Sequence, residues 1–220
     1  MAVAHLLSVN VGAARAIGPG PGVSGIDKRP VLVPVRIRLP EPGGSGLVGD
    51  QIGDHAGHGG ADQAIYAYAR EDLDRWEAEL GRRLPCGTFG ENLTTAGLDV
   101  TGALIGERWR VGEEVLLQVT APRIPCRTFA TWMGLPGWVK TFTQGRAPGT
   151  YLRVLQAGEV RTGDLITVEH RPDHRISVEV AFRALTDEPE LLPQLAAVED
   201  LPEALGRRVR RRLSAGAAWS

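Results

Sequence analysis

The sequence predicts a mainly β body in residues 1–172, followed by a small helical unit in residues 173–220. Twenty-eight glycines and fifteen prolines in a chain with only 5% aromatic residues indicate many short strands joined by tight turns, because these two residue types supply the unusual dihedral angles of turns. After Pro172 the pattern changes to helix-start signals. At 220 residues the chain is long enough for one sizeable core with a small appended unit.

Three segments show the alternation that is typical of strands. Apolar residues occupy every second position from Val31 to Leu39, which predicts one strand there, and residues 116–120 alternate in the same way. Residues 151–155 and 164–168 flank a turn-rich segment, so they predict a β-hairpin.

A further strand at residues 64–68 is predicted to run directly into a helix. Leu73, Trp76 and Leu80 follow at helical spacing, which gives this helix one apolar face.

Helix-start signals define the C-terminal unit. Asp187 precedes Pro189, and Asp200 precedes Pro202. Each aspartate can cap the start of a helix that has a proline in its first turn. Asp200 is also followed by Glu203 at the spacing of a capping box. The last helix is basic, with Arg207, Arg208, Arg210, Arg211 and Arg212. Two interpretations stay open: solvated arginines that complement the helix dipole, or a docking surface for an acidic partner.

Composition excludes several classes of protein. The formal net charge is -1, so the chain lacks the excess of positive charge that is typical of nucleic-acid-binding proteins. Its two cysteines, Cys86 and Cys126, are too few for a disulfide framework. The first residues have neither the basic nor the long apolar segment of a signal peptide, and no apolar run is long enough to cross a bilayer. We therefore expect a protein of the reducing cytoplasm.

Cys126 is the most informative candidate for chemistry. It lies in a run with Pro122 and Pro125, which favour an extended strand exit, and with Arg123 and Arg127. Positive charge favours the thiolate, which is the form that acts as a nucleophile or as a soft metal ligand. The alternative is a structural cysteine.

His58 is a second candidate because it stands between Gly57 and Gly59, whose backbone amides can approach an anion. A zinc site formed by His55 and His58 with Cys86 and Cys126 is an alternative, although the chain has neither a Cys-x-x-Cys pair nor a His-Glu-x-x-His helix.

Two polar segments could bind a charged ring compound. Lys28 and Arg29 precede a strand and suit a phosphate, although a solvated loop would look the same. Asn92 follows a glycine turn and could recognise a polar ring, or it could belong to an Asx turn.

Taken together, these segments resemble the MOSC domain, the sulfurase C-terminal family, and within it the stand-alone bacterial YiiM-like members. The segments come in the family's order and are specific as a set. They are Gly25-Ile26-Asp27-Lys28-Arg29-Pro30-Val31, Val48-Gly49-Asp50, His58-Gly59-Gly60-Ala61-Asp62-Gln63-Ala64-Ile65-Tyr66, Phe89-Gly90-Glu91-Asn92-Leu93, Ile105-Gly106, Pro122-Arg123-Ile124-Pro125-Cys126 and Gly149-Thr150-Tyr151-Leu152-Arg153-Val154. The helical tail is similar to the small three-helix unit that follows the barrel in this subgroup.

The resemblance implies a distorted β-barrel with a few short helices that binds the molybdenum cofactor, with Cys126 as the metal ligand. A soft thiolate suits molybdenum, and cationic side chains suit the phosphate of the pterin. The candidates for the phosphate are Lys28 and Arg29, and also Arg123 and Arg127. His58, Gly59 and Asn92 are expected to line the pterin or substrate end.

Two positions depart from the family pattern. Gln63 stands where relatives commonly have a basic residue, and Gln51 replaces an arginine that often follows Gly-Asp. Both differences remove a positive charge from the expected cofactor site.

The reaction that the resemblance implies is reduction of N-hydroxylated bases, hydroxylamines or amidoximes to amines or amidines. Cys126 and His58 are the expected catalytic residues, with His58 relaying a proton. Because the chain has no flavin fingerprint and no cysteine cluster for an iron–sulfur centre, a separate flavin or iron–sulfur protein is the expected electron donor. The alternatives are a non-catalytic carrier of molybdopterin or of sulfur, and a plain interaction domain.

Overall fold

The computed structural model describes residues 3–17, 22–53, 59–199 and 201–217. The described residues form twelve strands, which are β1 (His5–Gly12), β2 (Arg15–Ala16), β3 (Val23–Ser24), β4 (Lys28–Val31), β5 (Val35–Ile37), β6 (Ile65–Ala69), β7 (Leu93–Ala96), β8 (Arg108–Val111), β9 (Val115–Pro122), β10 (Thr150–Gln156), β11 (Gly158–Val160) and β12 (Ile166–His170). They also form six α-helices, which are α1 (Arg70–Leu80), α2 (Arg127–Met133), α3 (Trp138–Gly145), α4 (Val178–Leu185), α5 (Leu192–Ala196) and α6 (Glu203–Ala217).

Eight of the strands form one mixed sheet in the order β12-β8-β9-β10-β6-β7-β1-β4. All neighbouring pairs are antiparallel except β6 and β7. Backbone hydrogen bonds from Leu6 to Asp164 (2.8 Å) and from Ile166 to Ala4 (2.9 Å) join the region of β1 to the start of β12. One end of the sheet therefore returns to β1, the strand next to the other end, and this closure confirms the predicted distorted barrel.

The strand predicted from Val31 to Leu39 is wrong in its extent, because two short strands replace it. Strand β4 ends at Val31 and β5 begins at Val35, and the intervening Leu32 is 97% exposed. The residue just before β5 is Pro34, which has no backbone N–H to donate to a ladder.

The predicted hairpin is also wrong. Strand β10 pairs with β9 and β6, whereas β12 pairs with β8. Between them, β11 pairs with β5 in a separate two-stranded sheet. Each strand was recognised correctly, but its partners come from distant parts of the chain.

The predictions for β6, α1 and β9 are confirmed, and α1 buries Leu73 and Trp76 as its periodicity requires. Trp76 belongs to an aromatic cluster beside the barrel, in which Phe89, Phe129, Trp138 and Phe142 pack mainly edge to face. This cluster supports the segments that leave β9.

The C-terminal helical unit is present as predicted, with α4, α5 and α6 following β12. Its apolar side chains, including Ala181, Leu195 and Val209, belong to the same buried cluster as the barrel interior. Asp200, the predicted N-cap of the last helix, lies outside the described residues, and the boundary at residue 172 stays a prediction. None of the helices in the described ranges has the length and apolar character that a membrane span needs.

Candidate functional site

A cavity of about 90 Å³ opens where four loops and the end of β9 meet beside β10. Its lining residues come from segments distant in the sequence, and they are Val23, Ser24, Gly25, Ile26, Lys28, Ser45, Asp50, Gln51, Ile52, Gly53, Gly59, Gln63, Ala64, Tyr66, Gly90, Asn92, Arg123, Cys126, Thr128 and Tyr151. One wall of the cavity is a polar network around Asp50, and another consists of the residues around Arg123.

Glycine allows the loops of this cavity to pack against each other. A Cβ atom on Gly25 would lie 1.8 Å from the carbonyl oxygen of Gln51, and one on Gly53 would lie 2.0 Å from that of Val23. No larger residue fits at either position without moving the backbone. These two contacts fix the loop that carries Asp50 beside the loop that leads to Lys28.

Cys126 occupies the strand exit that the prolines predict. Strand β9 ends at Pro122, and Cys126 has an extended backbone immediately before α2, where its carbonyl accepts the backbone N–H of Ala130 at 3.0 Å. The residue is half-buried and lines the cavity. Cys86 is also half-buried but does not line the cavity, so Cys126 is the cysteine that a ligand in the cavity would contact.

Arg123 is buried in the same segment, with its guanidinium 4.2 Å from the ring centre of Phe129 and 5.1 Å from that of Tyr66. One terminal nitrogen donates to the carbonyl oxygen of Phe89. Within the described part of the chain, the buried Nε atom has no hydrogen-bond partner. A buried donor without a partner is costly, so the site favours a ligand that supplies an acceptor.

The charge of Arg123 acts on the groups around it. Burial tends to lower the pKa of Arg123, but the nearby Tyr66, Tyr151 and Cys126 outweigh it and leave the pKa above its ordinary value. Arg123 is therefore a permanent cation beside the thiol of Cys126, and a cation in this position favours a thiolate.

The wall around Asp50 is a closed network of polar groups. The carboxylate of Asp50 pairs with the ammonium of Lys28 and accepts hydrogen bonds from Ser45 Oγ (2.7 Å), Asn92 Nδ2 (2.9 Å) and the backbone N–H of Gly12 (2.9 Å). Burial lowers the pKa of Lys28, even though Asp50 opposes this effect. Since its charge is already matched by Asp50, Lys28 contributes little net positive charge to the cavity.

Asn92 is held on both sides. Its Oδ1 atom accepts the backbone N–H of Tyr66 at 3.1 Å, and its own backbone N–H donates to the carbonyl of Tyr66 at 2.7 Å. These bonds tie the start of β7 to β6 and fix the amide at the cavity.

The glycine-rich segment before β6 reaches both the cavity and the helical unit. Gln63 lines the cavity, and its buried Oε1 atom has no partner among the described residues. Its neighbour Asp62 pairs with Arg153 and accepts the backbone N–H of Ala204, at the start of α6, at 3.0 Å. Gln51, the other departure from the family pattern, accepts the backbone N–H of Ala14 at 2.8 Å.

The structure brings together five of the predicted cofactor-site residues: Lys28, Gly59, Asn92, Arg123 and Cys126.

Two predicted residues lie elsewhere. Arg29 is exposed and pairs with Asp27 at 3.2 Å, because neighbours in a strand point to opposite faces and its neighbour Lys28 faces the cavity. Arg127 is exposed in the first turn of α2.

His58 lies outside the described residues, as does His55, so their predicted roles stay predictions. The zinc alternative uses both histidines, so it also stays a prediction. Among the described residues alone, no three His, Cys, Asp or Glu side chains are grouped so that they could hold a metal ion.

Sequence reasoning assigned no role to Tyr151, Asp50 or Tyr66, all of which line the cavity. All three fall within the family motifs, which mark their positions, but the contacts of these side chains depend on segments that are distant in the sequence. Burial raises the pKa of Tyr151, while Arg123 opposes this effect.

Comparison with known proteins gives one family. Residues 54–167 match the MOSC domain family. The uncharacterized protein YflK of Bacillus subtilis is 35% identical over 180 residues, which cover 81% of this chain and 79% of YflK. A protein named "Reductase" from Gibberella moniliformis is 33% identical over 162 residues, which cover 72% of this chain but only 28% of that longer protein.

The fold agrees with this match. The crystal structure of YiiM from Geobacillus stearothermophilus superposes with a TM-score of 0.76 and 29% identity, over 96% of this chain and 99% of that one. The ordered motifs, the closed mixed sheet and the cysteine at the strand exit agree with the sequence match, and the chain belongs to the MOSC domain family.

Proposed function

We propose that this protein is a molybdenum-cofactor-dependent reductase that converts N-hydroxylated bases, hydroxylamines or amidoximes to amines or amidines. Membership of the MOSC family associates the chain with the molybdenum cofactor. A relative of similar sequence is named a reductase, which supports an oxidoreductase role.

The observation that carries the proposal is the pairing of a thiol with an unsatisfied cation in one cavity. Cys126 offers a soft donor, and Arg123 offers a buried Nε donor that has no partner within the described chain. A molybdenum–pterin cofactor presents both complementary groups, since it carries a thiophilic metal and an anionic phosphate.

The remaining lining residues fit the same ligand. In the proposed complex, Cys126 holds the metal and Arg123 binds the phosphate, while Lys28 stays with Asp50. Gln63 supplies a buried acceptor that is open among the described residues, and the N–H groups of a pterin ring are suitable donors for it.

When bound, the cofactor would supply the two-electron metal chemistry of the reduction, with Cys126 as the residue that would hold its metal. The residues of this chain hold the cofactor, orient the N–O group and restrict water. The network of Asp50, Asn92 and Lys28 keeps its own wall in place because these hydrogen bonds are internal.

The electrons come from outside the chain in this proposal, from a separate flavin or iron–sulfur protein. Helix α6 offers a basic surface for such a partner, with Arg211 and Arg212 exposed and Arg208 half-buried. An acidic electron donor has the complementary charge.

The test is to purify the protein from a host that makes the cofactor and to measure its molybdenum and pterin content. Turnover of benzamidoxime is then measured with reduced methyl viologen as the electron source. We expect stoichiometric molybdenum together with formation of benzamidine. Bound cofactor without turnover of any N-hydroxylated compound would instead indicate a carrier, and no molybdenum at all would contradict the whole proposal.

A further inference from the structure

Tyr66 and Tyr151 contact each other in the cavity wall, with ring centres 5.3 Å apart, but their hydroxyls are in different situations. The hydroxyl of Tyr66 donates to the carbonyl oxygen of Pro148 at 2.7 Å. No hydrogen bond connects the Tyr151 hydroxyl to any residue that the structure describes. Tyr151 therefore has a proton donor available for a ligand, and Tyr66 does not.

The charges around Tyr151 suit a group that gives up a proton and recovers it. Burial raises its pKa, so the hydroxyl is protonated at neutral pH. Arg123 acts in the opposite direction and stabilises the tyrosinate. Cys126 raises the pKa further, whereas Arg208, which reaches this region from α6, acts in the same direction as Arg123. The resting state is thus neutral, while two cations stabilise the anion that forms on proton transfer.

The other titratable side chains that line the cavity, within the described residues, are already engaged. Lys28 and Asp50 are paired with each other. Arg123 does not release its proton near neutral pH, and the proposed role of Cys126 is to bind the metal. Among the described lining residues, Tyr151 is the group that remains as an acid.

We propose that Tyr151 is the acid that protonates the oxygen of the substrate as the N–O bond breaks, an inference that rests on the proposed function. Overall, an N–OH group, two electrons from the external donor protein and two protons give an N–H group and water. The N–O bond breaks, one proton from Tyr151 forms an O–H bond of the departing water, and the other proton comes from solvent. The tyrosinate is then reprotonated by water.

The first experiment compares Tyr151→Phe with Tyr68→Phe. Tyr68 belongs to the neighbouring aromatic cluster and does not line the cavity, but its hydroxyl donates to Ala147 (2.7 Å) and accepts from Trp76 (3.0 Å). We expect Tyr151→Phe to lower kcat per bound molybdenum by about a hundredfold or more, which is the usual contribution of a general acid, without lowering Tm. Tyr68→Phe should lower Tm and keep kcat.

A second readout does not need turnover. Benzamidoxime carries the hydroxyl group that benzamidine lacks, and benzamidine is a cation at neutral pH whereas benzamidoxime is neutral. Binding of each is measured by calorimetry on the molybdenum-loaded protein without any reductant, and comparing the ratio of the two affinities between wild type and variant removes the part of the charge difference that both proteins share. If Tyr151 donates to the oxygen, Tyr151→Phe should reduce the affinity for benzamidoxime relative to benzamidine by about threefold to tenfold, as expected for one neutral hydrogen bond.

The two readouts separate the possible failures. If wild-type protein binds molybdenum but reduces no N-hydroxylated compound, the proposed function is wrong, and the binding ratio alone decides whether Tyr151 recognises the oxygen. An unchanged kcat in Tyr151→Phe, or an affinity ratio equal to that of the wild type, overturns the role of Tyr151.

Discussion

The two walls of the cavity differ in how completely their polar groups are satisfied. Around Asp50, each charged or polar side chain is matched by another, as the pair with Lys28 and the bond from Asn92 show. Around Cys126, Arg123 has a buried Nε without a partner, and Tyr151 has a hydroxyl without one, within the described chain. We call the wall around Asp50 the saturated wall, because its polar groups bond to each other and keep its shape. We call the wall around Cys126 the unsaturated wall, because a ligand that supplies the missing hydrogen-bond partners would lower its free energy.

This difference predicts that changes on the two walls have different consequences. Substitutions in the unsaturated wall should affect ligand binding and turnover more than stability, and substitutions in the saturated wall should do the reverse.

The largest expected effect is that of Cys126→Ser. The change replaces a soft thiolate donor by a hydroxyl of similar size, so we expect loss of essentially all reductase activity with little change in Tm. Activity per protein and thermal unfolding are the measurements.

Cys86→Ser is the matched control, since Cys86 is half-buried like Cys126 but does not line the cavity. Comparable losses of activity in the two variants would contradict the assignment of Cys126 as the metal ligand.

Arg123→Lys should have the next largest effect. Lysine keeps the charge but has no Nε donor and no planar fork. We therefore expect the affinity for the cofactor to fall by about tenfold, as one lost charge-assisted hydrogen bond would produce, and the molybdenum content of the purified variant to fall with it. Metal analysis of the purified variant is the measurement.

Arg36→Lys is a suitable control because Arg36 is exposed on β5 and outside the cavity lining. If Arg123→Lys retained full molybdenum, the phosphate would have to bind elsewhere, and the original candidates Lys28 and Arg29 would be the next to test together as alanine variants.

Asp50→Ala tests the saturated wall. It leaves the buried ammonium of Lys28 without its partner, and loss of one member of a buried pair typically costs about 3–5 kcal/mol of unfolding free energy. Denaturant unfolding gives this value directly.

The double variant Lys28→Met with Asp50→Ala removes both charges, so we expect it to be more stable than Asp50→Ala alone. A double variant that is less stable than the single one would show that the pair is not the source of the loss.

The smallest expected effect concerns helix α6. Reversing the charges of Arg208, Arg211 and Arg212 should slow turnover driven by an acidic donor protein a few-fold, and the difference should shrink at high salt. Turnover driven by reduced methyl viologen should fall much less, although Arg208 also acts on Tyr151.

Arg211 and Arg212 alone separate these two roles, since both are exposed. Equal losses of turnover with both reductants in this double variant would mean that α6 supports the fold. No loss with either reductant would favour the other interpretation, in which these arginines are only solvated at the end of a helix.

The sequence by itself determined the local elements and the family. Strands β6 and β9 and helix α1 carry their own periodicity, and each forms where its pattern predicts. The prolines around Cys126 restrict the backbone locally, so its presentation at a strand exit was also predictable. The ordered motifs gave the family because they depend only on residue identity and sequence.

Only the tertiary structure decided which strands pair and which polar groups meet. The partners of β10 and β12 lie far along the chain, and nothing in the local pattern of either strand encodes that choice. The same holds for the site: adjacent in sequence, Lys28 and Arg29 point to opposite faces, and Lys28 is neutralised by Asp50, from another loop. The charges that act on the Tyr151 hydroxyl come from Arg123 and from Arg208 on α6. Its protonation behaviour is therefore set only when these distant segments have packed together.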